Sequence, residues 1–218
     1  MKKNIFLVLI CGIILQATEE PSSGKKSKKL ELQKSMFESW SNFDVLNAAN
    51  KRIKHVYPGA FKSLGKISKI FLQGNKIGSL KTGTFQGFES LKVLDLSSNK
   101  LKKLPNYIFK ELRLVTDLNL SQNQIKIIEP NAFYGLRRLT SLNLSSNKLK
   151  ELRNEILEDL NNLKKLDLSG NKLRNINVQL FKNMHNLEYL DLSGNPLDPG
   201  LINRLCAILP NTHIIFDE

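Results

Sequence analysis

The chain has 218 residues, of which 41% are hydrophobic and 24% charged, so it can bury a sizeable core and has the composition of a folded soluble protein. Its formal charge of +13 attracts polyanions over a long range but does not identify one. The chain has two cysteines, Cys11 and Cys206, and we expect the segment that contains Cys11 to be removed. Cys206 then has no second cysteine to pair with, which excludes a disulfide framework.

Residues 1–17 have the layout of a secretory signal peptide. Two lysines precede an eleven-residue apolar run, Ile5–Leu15, and the small residue Ala17 follows it. The run is well short of the ~20 residues that a membrane-spanning helix needs. We therefore expect an exported protein, secreted or at the cell surface. A lipid anchor at Cys11 is the alternative, although Ile10 before it matches a lipoprotein cleavage motif poorly.

Two short segments come next along the chain. Residues 18–28 contain Pro, Ser, Gly and several lysines, which predicts a flexible basic tail. Residues 29–42 have apolar side chains at roughly helical spacing, which predicts an amphipathic N-terminal cap. These apolar residues are Leu30, Met36, Phe37 and Trp40.

Residues 43–197 contain about seven copies of a 24-residue repeat: the pattern L-x-x-L-x-L-x-x-N-x-L recurs six times in strict register from Ile67, and a degenerate copy with Lys51 at the asparagine position precedes them. In each copy the L-x-L stretch predicts a short strand whose leucines face inward and whose intervening residue faces solvent. The asparagine that follows has the donors and the acceptor needed to satisfy turn backbone groups that stacking would bury. This asparagine ladder consists of Asn75, Asn99, Asn123, Asn147, Asn171 and Asn195.

The second half of each copy also keeps the 24-residue spacing. One predicted core column is Val56, Leu80, Leu104, Ile128, Leu152 and Ile176; another is Phe61, Phe85, Phe109, Phe133, Leu157 and Phe181, with Leu205 after it. No copy can close its own core, so stability must come from stacking neighbours.

The chain resembles the leucine-rich repeat family over residues 43–218. The resemblance implies an α/β solenoid, a horseshoe with a parallel β-sheet on the concave face and short helices, 3-10 turns or loops on the convex face. Residues 198–218 are predicted to form a C-terminal cap, a short helix and a last strand. The chain lacks the cysteine-paired caps of many animal extracellular members, and its ending, Asn195-Pro196-Leu197, a short helix, Leu209-Pro210-Asn211 and a last strand, resembles that of exported bacterial members more.

The predicted helix of this cap has an apolar stripe at positions i, i+3, i+4 and i+7. The stripe consists of Ile202, Leu205, Cys206 and Leu209. We therefore expect Cys206 to be a buried core thiol rather than a reactive one.

Adjacent parallel strands lie ~4.8 Å apart, so each variable strand position becomes a straight column across the concave face. Aromatic, acidic and amide side chains there are typical material of binding hot spots, although the Asp and Asn residues are also common family filler. The candidate binding residues are Phe71, Asp95, Asp117, Asn119, Asn143, Lys165, Asp167, Tyr189 and Asp191.

A second repeating set predicts a basic stripe along one lateral edge. It consists of Lys76, Lys100, Lys102, Lys126, Lys148, Lys150, Lys172 and Arg174. Such a stripe can bind sulfated glycans, anionic lipid headgroups or phosphates with little sequence selectivity. The alternative is a solvated face that keeps a repeat protein soluble.

Asn119-Leu120-Ser121 and Asn143-Leu144-Ser145 fit the N-glycosylation rule. Sugars on these asparagines would obstruct the middle of the concave face. The alternative is that the match is a by-product of the Leu-Asn-Leu-Ser segment, which is common in this family.

Little in the sequence favours an enzyme. Asp167 and Asp191 have the spacing of a retaining glycosidase pair but are predicted on an open sheet. The three histidines, His55, His185 and His213, do not show metal-ligand spacing, so no metal or cofactor is expected.

The leading hypothesis is a secreted or cell-surface protein-binding module, with attachment to host or matrix molecules implied by the bacterial resemblance. A polyanion binder and a non-binding structural surface protein are the alternatives; nucleic acid is not the expected partner, because an export signal is present and no nucleic-acid motif is recognisable.

Overall fold

The computed structural model describes residues 44–58 and 66–217. The predicted signal peptide, basic tail and N-terminal cap lie outside the described residues, as does Phe61 of the second core column.

Eight short strands form one parallel sheet, in which they lie side by side in the order of the chain. In each of the seven neighbouring pairs the partner residues are 24 positions apart, as in Leu94 with Leu118. This confirms the predicted solenoid with a parallel concave sheet. The strands are β1 Val45–Asn47, β2 Lys69–Phe71, β3 Val93–Asp95, β5 Asp117–Asn119, β7 Ser141–Asn143, β8 Lys165–Asp167, β9 Tyr189–Asp191 and β10 His213–Ile215.

The convex side has less regular structure. Two two-residue strands, β4 Lys103–Leu104 and β6 Ile127–Ile128, pair in parallel. Two later coils have 3-10 helices instead, at Asn154–Leu157 and Val178–Phe181. Helix α1, Gly200–Ile208, then leads back to β10.

Side chains from both halves of each coil fill the interior. From β1 to β9 the middle residue of every strand of the main sheet is buried, and so is every described member of the two predicted core columns. On the convex side Phe109 stacks between Phe85 and Phe133, with ring centroids 5.7 and 6.1 Å away. The core is therefore one continuous column along the solenoid.

The ladder asparagines join neighbouring coils. Asn99 Oδ1 accepts the Ile77 N–H at 3.0 Å, and Asn99 Nδ2 donates to the carbonyl oxygens of Leu72, Leu96 and Ser97 at 2.9–3.1 Å. The same pattern recurs at all six ladder positions, from Asn75 to Asn195. Each amide thereby satisfies backbone groups of its own coil and of the coil before it.

The residue before each ladder asparagine has left-handed backbone. This column includes Ser98, Gln122 and Ser146, with φ of 53–54°, as well as glycines. A Cβ built on Gly194 would lie 3.1 Å from Gly170 N, so the coils approach closely here. Glycine suits such a position because it adopts positive φ without a steric cost.

The prediction that Cys206 is buried is wrong: its side chain is exposed. Helix α1 turns Leu201, Ile202 and Leu205 inward instead. Successive helical residues are about 100° apart, so Cys206 lies beyond the inward arc that is centred on Leu205. Leu201 packs against the core instead, and its side chain buries more apolar surface than that of Cys206 would.

None of the helices in the part of the chain that the structure describes is long and apolar enough to span a bilayer.

Candidate binding surfaces

The strand register places the nine concave candidates in two straight columns. The first strand positions carry Asp117, Lys165 and Tyr189. The third positions carry the remaining six, which are Phe71, Asp95, Asn119, Asn143, Asp167 and Asp191. Asp117 and Lys165 are exposed, while the others are half-buried against their neighbours along the column.

A shallow depression of about 240 Å³ lies over β2, β3, β5 and β7. It brings together five of the candidates, and Val93 and Ser141 also line it. The five are Phe71, Asp95, Asp117, Asn119 and Asn143. We call it the concave depression; it combines one aromatic ring, two carboxylates and two amides. The other four candidates lie on β8 and β9, outside its lining.

The acidic and amide side chains of the third column have a structural role as well. Asp167 Oδ1 accepts hydrogen bonds from the N–H and hydroxyl of Ser169, at 3.0 and 2.7 Å. Asp191 and Asn143 bind the serine two residues later in the same way, and Asp95 and Asn119 accept the corresponding N–H. These turns use Oδ1 of each side chain. The second polar atom, Oδ2 or Nδ2, takes no part in the turn; Asn119 Nδ2 donates to Asp95 Oδ2 at 3.5 Å, and Asp191 Oδ2 accepts from Tyr189.

Tyr189 and Asp191 form a second local group. The Tyr189 hydroxyl donates to Asp191 Oδ2 at 3.2 Å, and the ring centroid lies 6.0 Å from that of His213. Burial, together with the negative charge and hydrogen bond of Asp191, raises the pKa of Tyr189 above its ordinary value. The phenol therefore remains a neutral donor at physiological pH.

The structure gives the Asp167–Asp191 pair a turn-forming role. The two residues are register partners on β8 and β9, but each carboxylate already accepts from a serine. Within residues 44–58 and 66–217 no group of three or more His, Cys, Asp or Glu side chains is arranged to hold a metal ion.

The eight residues of the basic stripe are all exposed. Backbone hydrogen bonds tie stripe residues to the coil before them, as in the Lys100 N–H to the Ile77 carbonyl at 2.9 Å, and one of these bonds joins two stripe members, from the Lys126 N–H to the Lys102 carbonyl at 3.0 Å. None of the eight forms an ion pair with another described residue. The stripe therefore presents uncompensated positive charge along its edge.

Asn119 and Asn143, the two glycosylation-type asparagines, both line the concave depression. Their Oδ1 atoms accept the N–H groups of Ser121 and Ser145, at 3.1 and 2.9 Å. A sugar on either Nδ2 would fill the depression.

Sequence reasoning missed one feature, a groove of about 460 Å³ at the end of the convex loops. Four basic residues line it together with Glu111, Tyr134 and Gly135; the basic four are Lys110, Arg113, Arg137 and Arg138. We call it the arginine groove. The signal available in the sequence is the recurrence of arginine after 24 residues, at 113 and 137, outside the columns of the basic stripe.

The comparisons with known proteins agree with the geometry. The family model described as "Leucine rich repeat" matches residues 67–113, 90–149 and 137–197. No curated protein sequence matches the chain.

Solved structures show the same fold. The crystal structure of the TLR13–ssRNA13 complex is similar at 25% identity and a TM-score of 0.73, over 84% of this chain and 26% of that one. An LRR protein of Leptospira interrogans is similar at 29% identity and a TM-score of 0.72, over 84% of this chain and 45% of that one. The chain thus spans less than half the length of either. Since the family model covers more than half of the sequence, the chain belongs to the leucine-rich repeat family.

Proposed function

We propose that this chain is an exported scaffold that binds a protein partner through its concave face, and that it acts by binding rather than by catalysis. The observation that carries the proposal is the concave depression, where Phe71 lies beside carboxylates and amides on a regular sheet. Export rests on the signal-peptide pattern of residues 1–17. Attachment to a host or matrix molecule is the role that we propose for such a protein.

The scaffold is pre-organised for recognition. Turn hydrogen bonds to Oδ1 fix the acidic and amide side chains of the third column in place. Binding therefore orders few side chains, and this lowers the entropic cost of association.

The chemistry of the depression defines the kind of partner. Asp95 and Asp117 contribute negative charge, Phe71 contributes apolar surface, and the two asparagines offer amide groups. A complementary partner segment presents a lysine or arginine beside an apolar side chain. The concave face thus selects a basic and apolar segment even though the whole chain is basic.

Site-specific photocrosslinking tests which face binds. A photoreactive amino acid at position 71 or 189 should crosslink a single partner from the surface of the natural target cells. The same amino acid at position 107 or 127, both exposed on the convex side, should not. Equal yields from both faces would contradict the proposal.

A matched pair of variants then measures affinity for the captured partner. Phe71→Ala with Asp95→Asn keeps the Asp95 turn acceptor but removes the ring and the charge, and should weaken binding by at least about tenfold. Ile127→Ala with Glu151→Gln makes the same kinds of change at exposed convex positions and should leave binding unchanged. Unchanged affinity in the first variant would remove the concave depression from the proposal.

A second candidate function is polyanion binding through the basic stripe, which is favoured by eight exposed cations without ion-pair partners among the described residues. It predicts retention on heparin that falls steeply with salt. Lys76→Glu with Lys100→Glu and Lys148→Glu should abolish retention. Reversal of three exposed lysines elsewhere, Lys66, Lys92 and Lys182, should reduce it less.

Equal losses in the two triple variants would show that net charge alone causes retention. Retention of single-stranded RNA, the ligand in the TLR13 complex, is measured beside heparin. Self-association with no bound partner in either assay would favour the structural surface protein instead.

A further inference from the structure

The arginine groove lies away from both surfaces discussed above. Its lining comes from residues 110–113 and 134–138, which precede β5 and β7. The basic stripe instead follows the ladder asparagines, at the other end of the strands. The groove is therefore a third surface, which the proposed function does not use.

Positive charge in the groove exceeds its local compensation. Lys110 Nζ lies 3.8 Å from Glu111, and Arg137 Nε lies 3.8 Å from Asp159, both long contacts at exposed cations. Arg113 and Arg138 form no ion pair with any described residue. Two guanidinium groups are thus available for a ligand, and the planar donors of arginine match oxyanions better than those of lysine.

A glycine helps to open the groove. Gly135 occupies the repeat position held by Glu111 in the coil before it and by Asp159 in the coil after it. Its φ of +86° and its N–H donation to Asp159 Oδ2 at 2.8 Å fix the turn. No side chain projects from this position, where a Cβ would lie 3.6 Å from the Lys110 carbonyl oxygen.

Tyr134 provides an aromatic wall. Its ring packs against that of Tyr107 at a centroid distance of 5.4 Å and an interplanar angle of 81°. Tyr134 nevertheless remains 50% exposed. An exposed ring held by a neighbour is suited to packing against the apolar face of a sugar ring.

The cluster departs from the repeat. The position of Arg113 and Arg137 is occupied by Asn161 and His185 in the next two coils, and that of Tyr134 by Glu158. A solvated face that arises from repetition would continue through these coils, as the basic stripe does. The local combination of arginines, tyrosine and glycine is therefore a feature of these two coils alone.

We propose that the arginine groove binds a sugar that carries a sulfate or phosphate ester, with Arg113 and Arg138 bound to the ester oxygens and Tyr134 packed on the sugar ring. The volume of about 460 Å³ suits one or two sugar units.

Titration of the full chain with glucose 6-sulfate, glucose 6-phosphate, inorganic phosphate and glucose tests this. We expect at least one glucose ester to bind measurably and more tightly than inorganic phosphate, and glucose itself not to bind. Arg113→Gln with Arg138→Gln should weaken binding of that ester by at least about tenfold, since charge-assisted hydrogen bonds are lost. Tyr134→Leu should weaken binding of the glucose ester but leave that of inorganic phosphate unchanged.

The control is Lys100→Gln with Lys148→Gln, which removes the same charge from the basic stripe and should change affinity less than about twofold. Equal weakening by the two double variants would overturn the proposal, because binding would then depend on the overall positive charge of the chain and not on the groove. Absence of ester binding by the wild-type chain would overturn it as well. Circular dichroism of each variant checks that the fold is retained.

Discussion

The concave and convex sides of the solenoid are built on different principles. On the concave side eight strands share one register, and asparagine side chains satisfy the adjoining turn backbone. On the convex side the backbone varies between two-residue strands and 3-10 helices, while side chains such as Phe109 continue the core.

This difference determines which changes each side tolerates. Backbone hydrogen bonds fix the concave strands, so a change at a solvent-facing residue there costs at most the turn hydrogen bonds that its side chain accepts. The convex loops have fewer regular hydrogen bonds and depend on packed volume. The four tests below break or sharpen this comparison.

Removal of a convex ring should have the largest effect. Phe109 is fully buried between Phe85 and Phe133. Phe109→Ala should lower the free energy of unfolding by about 3–5 kcal/mol, since it removes apolar contacts and leaves a cavity. Urea unfolding measures the loss. Phe109→Leu, the residue type found at position 157 in the same column, should recover most of it.

Removal of a ladder amide should have the next largest effect. Asn123 accepts from the Leu101 N–H and donates to the carbonyls of Leu96, Leu120 and Ser121. Asn123→Ala should cost about 3 kcal/mol in urea unfolding, because buried backbone groups of two coils lose their partner. Asn119→Ala, the same change on the open face, should cost much less. Equal costs would contradict the division between structural and variable positions.

The turn at the end of β8 should give a smaller effect. Asp167→Ala removes both hydrogen bonds with Ser169 and should cost about 1 kcal/mol. Asp167→Asn retains an Oδ1 acceptor and should leave the free energy of unfolding nearly unchanged. Asn143, at the same position of the coil before, forms the same turn hydrogen bonds. A large cost for Asp167→Asn would show that the carboxylate charge has a further role.

The smallest effect should come from the ion pair that links convex loops. Lys103 Nζ lies 2.5 Å from Glu129 Oε1. This hydrogen bond, and the charges of Lys103 and Arg153, lower the pKa of Glu129 below its ordinary value of 4.5, although desolvation opposes them.

A carboxylate whose pKa is lowered by folding stabilises the fold at pH values above its ordinary pKa. That contribution is lost as the pH falls through the lowered pKa. The wild type should therefore be slightly more stable than Glu129→Gln at neutral pH, and the two should converge below pH 4.5. Urea midpoints at several pH values measure this, and a gap that widens in acid would contradict it.

Periodicity made much of the fold predictable. Leucines and asparagines recur at fixed spacing because each occupies the same environment in every coil, and the sheet register and buried columns follow. The columns that carry Phe71 and Asp95 were predictable for the same reason. What the sequence did not reveal is that Oδ1 of the acidic and amide side chains is already used in turns, because that depends on backbone direction after the strand.

Features outside the period were harder to predict. The exposure of Cys206 depends on how α1 rotates against the last coil, and an apolar stripe alone cannot distinguish Leu201 from Cys206 as its inward member. The arginine groove requires residues from two coils and a glycine in the second of them, a combination that no single column shows.

The uniform register also constrains how such a chain can change in length. Insertion or loss of 24 residues adds or removes one whole coil, so the sheet grows or shrinks by a single strand while every side chain keeps its face. Within the strand and the turn that follows it, an insertion that is not a multiple of 24 residues turns the downstream leucines toward solvent and misaligns the asparagines on which neighbouring coils depend. Relatives of this protein should accordingly differ in reach by whole coils, and partner surfaces of different width can be matched without redesign of the interior.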